Sequence, residues 1–207
     1  MNKLASIFLL RDLELPTINP MIVTERTPKK VARQITGFYY PREDGWAVRC
    51  AELPNIDGRV ERNLPWGLAQ TKAELADQVL HLQSQVGEGY VIFCHHAYKL
   101  ARGASMLIEG GRVVVEARAG NLAELSKFYR GYLPHQQRIV FSPGMIYSKR
   151  DGQEVLSLTD LLELRRVEKA LRWPSIKGVL GINSPVAVET SWRTNGRFYV
   201  HDLAVVE

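Results

Sequence analysis

Two cysteines in 207 residues, Cys50 and Cys94, are too few for a disulfide framework. Both sit inside apolar, strand-like runs and are expected to be reduced core residues, which suits a cytoplasmic chain. No apolar run approaches the ~20 residues that a membrane-spanning helix needs. The N-terminal apolar segment Leu4–Leu10 is short, and Arg11-Asp12 follows it at once with no small-residue cleavage site, so no signal peptide is expected. Internal repeats and low-complexity linkers are lacking. So are a Walker A loop, a Rossmann glycine fingerprint, a Gly-x-Ser-x-Gly elbow and a His-Glu-x-x-His helix, and with them the chemistry each one carries. Cys94-His95-His96 is the only concentration of soft ligands. Successive strand residues point to opposite faces, so these three do not converge on one zinc ion.

Charge is not lacking, but it is dispersed. The formal net charge of +5 suits a polyanionic partner. Arg26-Thr-Pro-Lys29-Lys30-Val-Ala-Arg33 is the one modest basic cluster, and no aromatic ladder for stacking bases accompanies it. Nucleotide phosphates are as good a match for such scattered cations as nucleic acid is.

The pattern along the chain predicts an α+β fold. Lys3 to about Leu13 reads as a helix, and Pro16 and Pro20 then force an extended segment ending in Met21-Ile-Val23. Gln34–Tyr40 and Trp46–Ala51 read as strands joined by the turn 41–45, and 55–66 as a loop. Thr71-Lys-Ala-Glu74 is a capping box opening a helix with Leu75, Val79, Leu82 and Val86 on one face, ended by Gly87 and Gly89. Strands are expected at Tyr90–His95, Ala104–Ile108 and Arg112–Ala117, the last two joined across Gly110-Gly111. A short helix is expected at Leu122–Tyr129, followed by a Gly- and Pro-punctuated meander from Gly131 to Gly152. Ser157, with Asp160 three residues on, caps a helix carrying Leu158, Leu161, Leu164 and Leu171. The glycine turns favour antiparallel neighbours over crossovers.

The last stretch holds the chemistry. Val186–Trp192 and Arg197–Val200 flank Asn195-Gly196, the strongest short signal for a two-residue type I′ hairpin turn. Alternation puts Val186, Val188, Thr190 and Trp192 on one face and Ala187, Glu189 and Ser191 on the other. Glu189 thus enters an apolar strand from one side, and His201 closes the partner strand beside Asp202. A carboxylate and an imidazole on adjacent strands suit a divalent metal or acid–base work; the plainer alternative is an acidic residue at a sheet edge and a histidine at a fraying end. Arg49 interrupts Trp46-Ala-Val-Arg-Cys-Ala51, and a guanidinium there needs a phosphate, a carboxylate or a route to solvent. Glu116 ends the apolar Val113-Val-Val run in the same manner.

Taken together, these pieces resemble the nucleotide-binding domain of phosphoenolpyruvate synthase and pyruvate phosphate dikinase, a relative of the ATP-grasp enzymes. Lys3-Leu-Ala-Ser-Ile-Phe-Leu-Leu, with Leu15-Pro16 beyond it, is similar to the family's lysine-bearing first helix and its following Gly-Leu-Pro. Val48-Arg49-Cys50-Ala51 is similar to its Val-Arg-Ser-Ser-Ala. Val115-Glu116-Ala117, Gly120-Asn-Leu-Ala-Glu124 and Gly131-Tyr-Leu-Pro134 follow in the family's order. So do Val167-Glu168, Ala187-Val188-Glu189, Gly196-Arg-Phe-Tyr199 and Val200-His201, with the Glu189-to-His201 interval equal to the family's Glu-to-Gln interval. The family's domain is longer, its metal-binding Gln is His201 here, and its following Arg is Leu203. The resemblance implies a two-lobed ATP-grasp-like fold, residues 1–85 and 86–207, with antiparallel sheets and a central cleft for ATP. It implies Lys3 and Arg49 on the phosphates as binding and catalytic residues, and Glu116 on the nucleotide. Glu189 and His201 would hold Mg²⁺ (or Mn²⁺), with Asp202 as the alternative oxygen ligand, and phosphoryl transfer would go to an unidentified acceptor. A non-catalytic nucleotide- or partner-binding module, working with a separately encoded protein, stands as the alternative, and nucleic-acid binding ranks behind both.

Overall fold

The computed structural model describes residues 3–53, 64–110, 112–120, 137–141, 149–172 and 185–205. These form an α+β fold with two antiparallel sheets. The chain divides into two compact units. The N-terminal unit runs from Ile18 to Lys99 and takes in Asn2–Ala5; the C-terminal unit joins Ser6–Thr17 to Leu100–Glu207. Helix α1 (Lys3–Asp12) therefore contributes its first residues to one unit and the rest to the other.

In the N-terminal unit, strands β1 (Met21–Val23), β2 (Trp46–Glu52), β3 (Trp66–Ala69) and β4 (Tyr90–His96) form a sheet of order β1-β4-β2-β3. The two-residue period sends Trp46, Val48, Cys50, Ile92 and Cys94 into a core closed by helices α2 (Pro28–Phe38) and α3 (Lys72–Val86). Leu75, Val79 and Leu82 form the buried stripe of α3, and the Thr71 side chain accepts the Glu74 backbone N–H at 3.2 Å. β4, expected beyond the boundary at residues 85/86, is hydrogen-bonded between β1 and β2 in this unit.

The stretch 34–40, expected as a strand, is helical through Phe38. Pro28 stands at the start of α2, where its missing N–H costs nothing, and Val31 and Ile35 one turn apart are fully buried. That spacing outweighs the local β preference of Ile35-Thr36 and Phe38-Tyr-Tyr40. Gln34 then fixes the exit of β1: its Oε1 accepts from the N–H groups of Thr24 and Glu25, each at 3.2 Å, and its Nε2 donates to the Ile22 carbonyl at 3.0 Å.

The C-terminal unit is a six-stranded antiparallel sheet of order β10-β9-β5-β6-β7-β8. Its strands are β5 (Leu100–Glu109), β6 (Arg112–Ala119), β7 (Gln137–Phe141), β8 (Lys149–Gly152), β9 (Val186–Arg193) and β10 (Phe198–Val205). β7 and β8 lie inside the stretch read as an irregular meander; the helix expected at Leu122–Tyr129 lies outside the described residues. One sheet face, with Ala104, Met106, Val113, Val115, Ile139, Val188 and Trp192, forms a core with Leu161, Leu164 and Val167 of helix α4 (Leu158–Leu171) and with Leu10 and Leu15. The expected capping box is formed at Ser157 and Asp160. Asp160, buried, also accepts a bidentate pair from Arg102 at 2.7 and 3.0 Å, which ties α4 to β5.

The terminal hairpin forms, but its turn differs from the expectation. Arg193 pairs with Arg197 and the Gly196 N–H donates back to the Arg193 carbonyl at 2.9 Å, so three residues, Thr194 to Gly196, form the loop. Gly196 has φ 79° and Asn195 does not have positive φ. This is a type I turn closed by a glycine bulge rather than type I′, where both central residues need φ > 0. The extra residue fits Thr194, which a two-residue loop cannot accommodate.

Candidate functional site

The second face of the six-stranded sheet carries the polar residues. Antiparallel register aligns Asp202 with Glu189, Glu189 with Ser105, Ser105 with Glu116, and Glu116 with Arg138, so one row of side chains crosses five strands on one face. A bulge in β10 between Val200 and Asp202 creates this alignment. Without the extra residue, His201 would stand opposite Glu189; with it, Asp202 does, and His201 becomes the bulged residue. The His201 Nε2 makes a short hydrogen bond to the Ser191 Oγ on the neighbouring strand. Asp202 is held in place, since its Oδ1 accepts from Ser6 Oγ at 2.8 Å and from the Leu203 N–H at 2.9 Å. The segment after α1 holds the same strand: the Val200 N–H donates to the Pro16 carbonyl at 2.7 Å and Thr17 Oγ1 donates to the Val200 carbonyl at 2.7 Å. Glu116 is buried, its Oε1 lying 3.6 Å from the Arg138 Nε.

In the N-terminal unit, Arg49 and His95 share the sheet face turned away from the α2–α3 core. Arg49 Nε donates to His95 Nε2 at 3.3 Å, and the opposite ring nitrogen, Nδ1, lies 2.8 Å from the His96 carbonyl. A carbonyl only accepts, so the proton is on Nδ1 and the ring is neutral. Burial pushes the His95 pKa down to about 3, and the positive charges of Arg49 and, more weakly, Lys3 push the same way against the hydrogen bond to His96. Arg49 is thus bonded to a neutral imidazole, and its guanidinium lies 5.6 Å from the centre of the Trp66 ring. A guanidinium beside an uncharged ring keeps its charge uncompensated by that neighbour, which suits phosphate oxygens.

Lys3 and Arg49 are thus gathered in one unit, and Glu116, Glu189, His201 and Asp202 on one sheet face of the other. Sequence reasoning missed His95 and Ser105. His95 was weighed only as a zinc ligand; its bond to Arg49 depends on the β2–β4 register, which no local pattern encodes. As the alternation requires, His96 turns to the other face, its ring 4.4 Å from Trp46 and 4.8 Å from Tyr40. Cys50 and Cys94 are free and buried, and burial raises their pKa values to about 11 and about 12, so both are inert thiols.

Among the described residues no group of three or more His, Cys, Asp and Glu side chains is poised to hold a metal ion. The facing pair Glu189 and Asp202 nevertheless fits Mg²⁺, which is commonly held by one or two carboxylates and completes its octahedron with water and phosphate oxygens. His201, expected as a ligand beside Glu189, has its Nε2 turned to Ser191.

No family model matches the chain, and no curated protein matches it. Solved structures do. D-alanyl-alanine synthetase A from Vibrio cholerae is 14% identical and aligns with 98% of this chain and 54% of its own at a TM-score of 0.59. N5-carboxyaminoimidazole synthetase from Staphylococcus aureus, complexed with ADP, is 12% identical over 98% of this chain and 44% of its own, with a TM-score of 0.57. L-amino acid ligase from Bacillus licheniformis is 14% identical over 98% and 42%, with a TM-score of 0.54. The fold is ATP-grasp-like. The chain spans about half the length of the solved structures it matches. Among the described residues, no helix is long and apolar enough to cross a membrane.

Proposed function

We propose that this chain is an ATP-binding domain of ATP-grasp type that drives a ligase-type, ATP-dependent reaction beginning with phosphoryl transfer to an acceptor whose identity is open. What supports the reading most is the carboxylate pair Glu189–Asp202, set by a β-bulge on a sheet whose fold is shared with synthetases and ligases, one of them complexed with ADP. In this reading Lys3 and Arg49 would supply the cations for the phosphates, Glu116 would contact the nucleotide, and Glu189 with Asp202 would hold Mg²⁺. His201 ties β10 to β9 through Ser191. When bound, Mg²⁺ would supply positive charge to offset the negative charge that develops in phosphoryl transfer. The chain's residues contribute positioning: a planar guanidinium fork that orients the transferred group, and carboxylates set in register on one sheet face. Within the ATP-grasp-like fold, kinship to the phosphoenolpyruvate synthase and pyruvate phosphate dikinase domain is part of this proposal, resting on Val48-Arg49, Val115-Glu116 and the Glu189 hairpin.

A second reading, a nucleotide-binding module that works with a separately encoded protein, is favoured by one observation, the 42–54% share of the solved chains that this chain spans. Thermal unfolding with ATP, with and without Mg²⁺, separates the two. The enzyme reading expects stabilisation that needs both, about 2.7 kcal/mol at a hundred times the dissociation constant. The module reading expects the shift with nucleotide alone. A salt-sensitive shift with an oligonucleotide and none with ATP would sink both.

A further inference from the structure

Ser105 is a residue of the polar row that the proposed function leaves without a role. It sits between Glu189 and Glu116 in register, on the same face, and is 1% exposed. Its Oγ has no hydrogen-bond partner among the described residues. A buried hydroxyl without a partner costs stability that alanine would recover, so its retention at the floor of an acidic row calls for a ligand. The flanking charges say which kind. Carboxylates on both sides repel an anion, whereas an oxygen lone pair among them suits a hard cation or the water bound to one. Other polar side chains on this face already have partners: Asp202 accepts from Ser6, Glu116 pairs with Arg138, and Ser191 binds His201.

We infer that Ser105 Oγ is the third protein oxygen of a divalent-cation position at Glu189, contacting the ion directly or through one bound water. This rests on the proposed ATP-grasp reading, and it adds a cation-binding residue that the Glu189–Asp202 pair does not supply.

The test is calorimetric titration of Mn²⁺ and, separately, Cd²⁺ in the presence of ATP, on wild type, Ser105→Ala, Ser105→Cys and Glu189→Gln. Ser105→Ala is expected to melt, without ligand, at or above the wild-type temperature, and to bind Mn²⁺ about tenfold more weakly. Ser105→Cys, nearly the same size, replaces a hard donor with a soft one. Its Cd²⁺-to-Mn²⁺ affinity ratio should rise about tenfold over wild type, a change that a purely structural role would not produce. Cys50 and Cys94 are common to all four proteins and cancel in the comparison. If Glu189→Gln weakens Mn²⁺ binding while both Ser105 variants bind like wild type, Ser105 is only a buried hydroxyl and this inference fails alone. If wild type binds no Mn²⁺, or Glu189→Gln binds it as wild type does, the metal assignment fails and takes Ser105 with it.

Discussion

His95 shows how burial, with a guanidinium beside it, can fix the charge state of a side chain. The imidazole is buried against a guanidinium, so folding lowers its pKa from the usual 6.5 to about 3. Between those values the unfolded chain binds a proton that the native chain refuses, so stability rises with pH across the window. The contribution is complete above about pH 6.5 and is lost as pH falls toward 3, by at most about 1.4 kcal/mol per pH unit. Urea midpoints measured from pH 4 to 8 should therefore show a steeper acid limb in wild type than in His95→Gln; parallel limbs would mean that the ring is not buried neutral. Arg49→Lys keeps the charge but gives up the planar fork and the bond to His95 Nε2. It should weaken ATP binding about tenfold while the protein stays folded at neutral pH, read by calorimetry alongside circular dichroism. Unchanged affinity would remove Arg49 from the phosphate site.

Among the elements, the β9–β10 hairpin does the most to place the candidate site. Its loop and its bulge are separate devices: the glycine bulge at 194–196 sets the register of Phe198 against Trp192, and the bulge at His201 shifts the strand so that Asp202 meets Glu189. Only Gly196 of the loop has positive φ, which an L side chain adopts at a cost. Gly196→Ala should cost about 1 kcal/mol, while Asn195→Ala, at a position with ordinary φ, should cost less than about 0.5 kcal/mol. Comparable losses in both variants would restore the type I′ turn. The Thr71 N-cap of α3 and the capping box of α4 act where the pattern places them, and α2 was hidden because its β-branched and aromatic residues hold helical spacing only when Val31 and Ile35 have a sheet to pack on.

At the scale of the whole molecule, the polar row exists because sequence-distant strands stack in one sheet: β5 and β6 from the middle of the chain, β9 and β10 from its end, and a tether from Pro16 and Thr17. Glu189→Gln and Asp202→Asn should each remove about 1–3 kcal/mol of the Mg²⁺-dependent part of the stabilisation by ATP, and His201→Ala less than about 1 kcal/mol. Should His201→Ala match Glu189→Gln, the imidazole is a ligand after all and Mn²⁺ or Zn²⁺ becomes the better-suited ion.

The sequence by itself determined the class of fold and the strands that carry the chemistry. Alternation in Val186–Trp192, the capped stripes of α3 and α4, and glycine-punctuated hairpins are local signals, written within ten or so residues. It also singled out Arg49, Glu116 and Glu189, because a charge inside an apolar strand is conspicuous without any partner. Only the tertiary structure decided the partners. Whether His201 or Asp202 faces Glu189 turns on one inserted residue, since a side-chain period of two reverses with each slip. That Ser105 lies between two carboxylates, and that His95 meets Arg49, follows from pairings between segments tens of residues apart, where register is set by the packing of both faces and by no pattern within either strand.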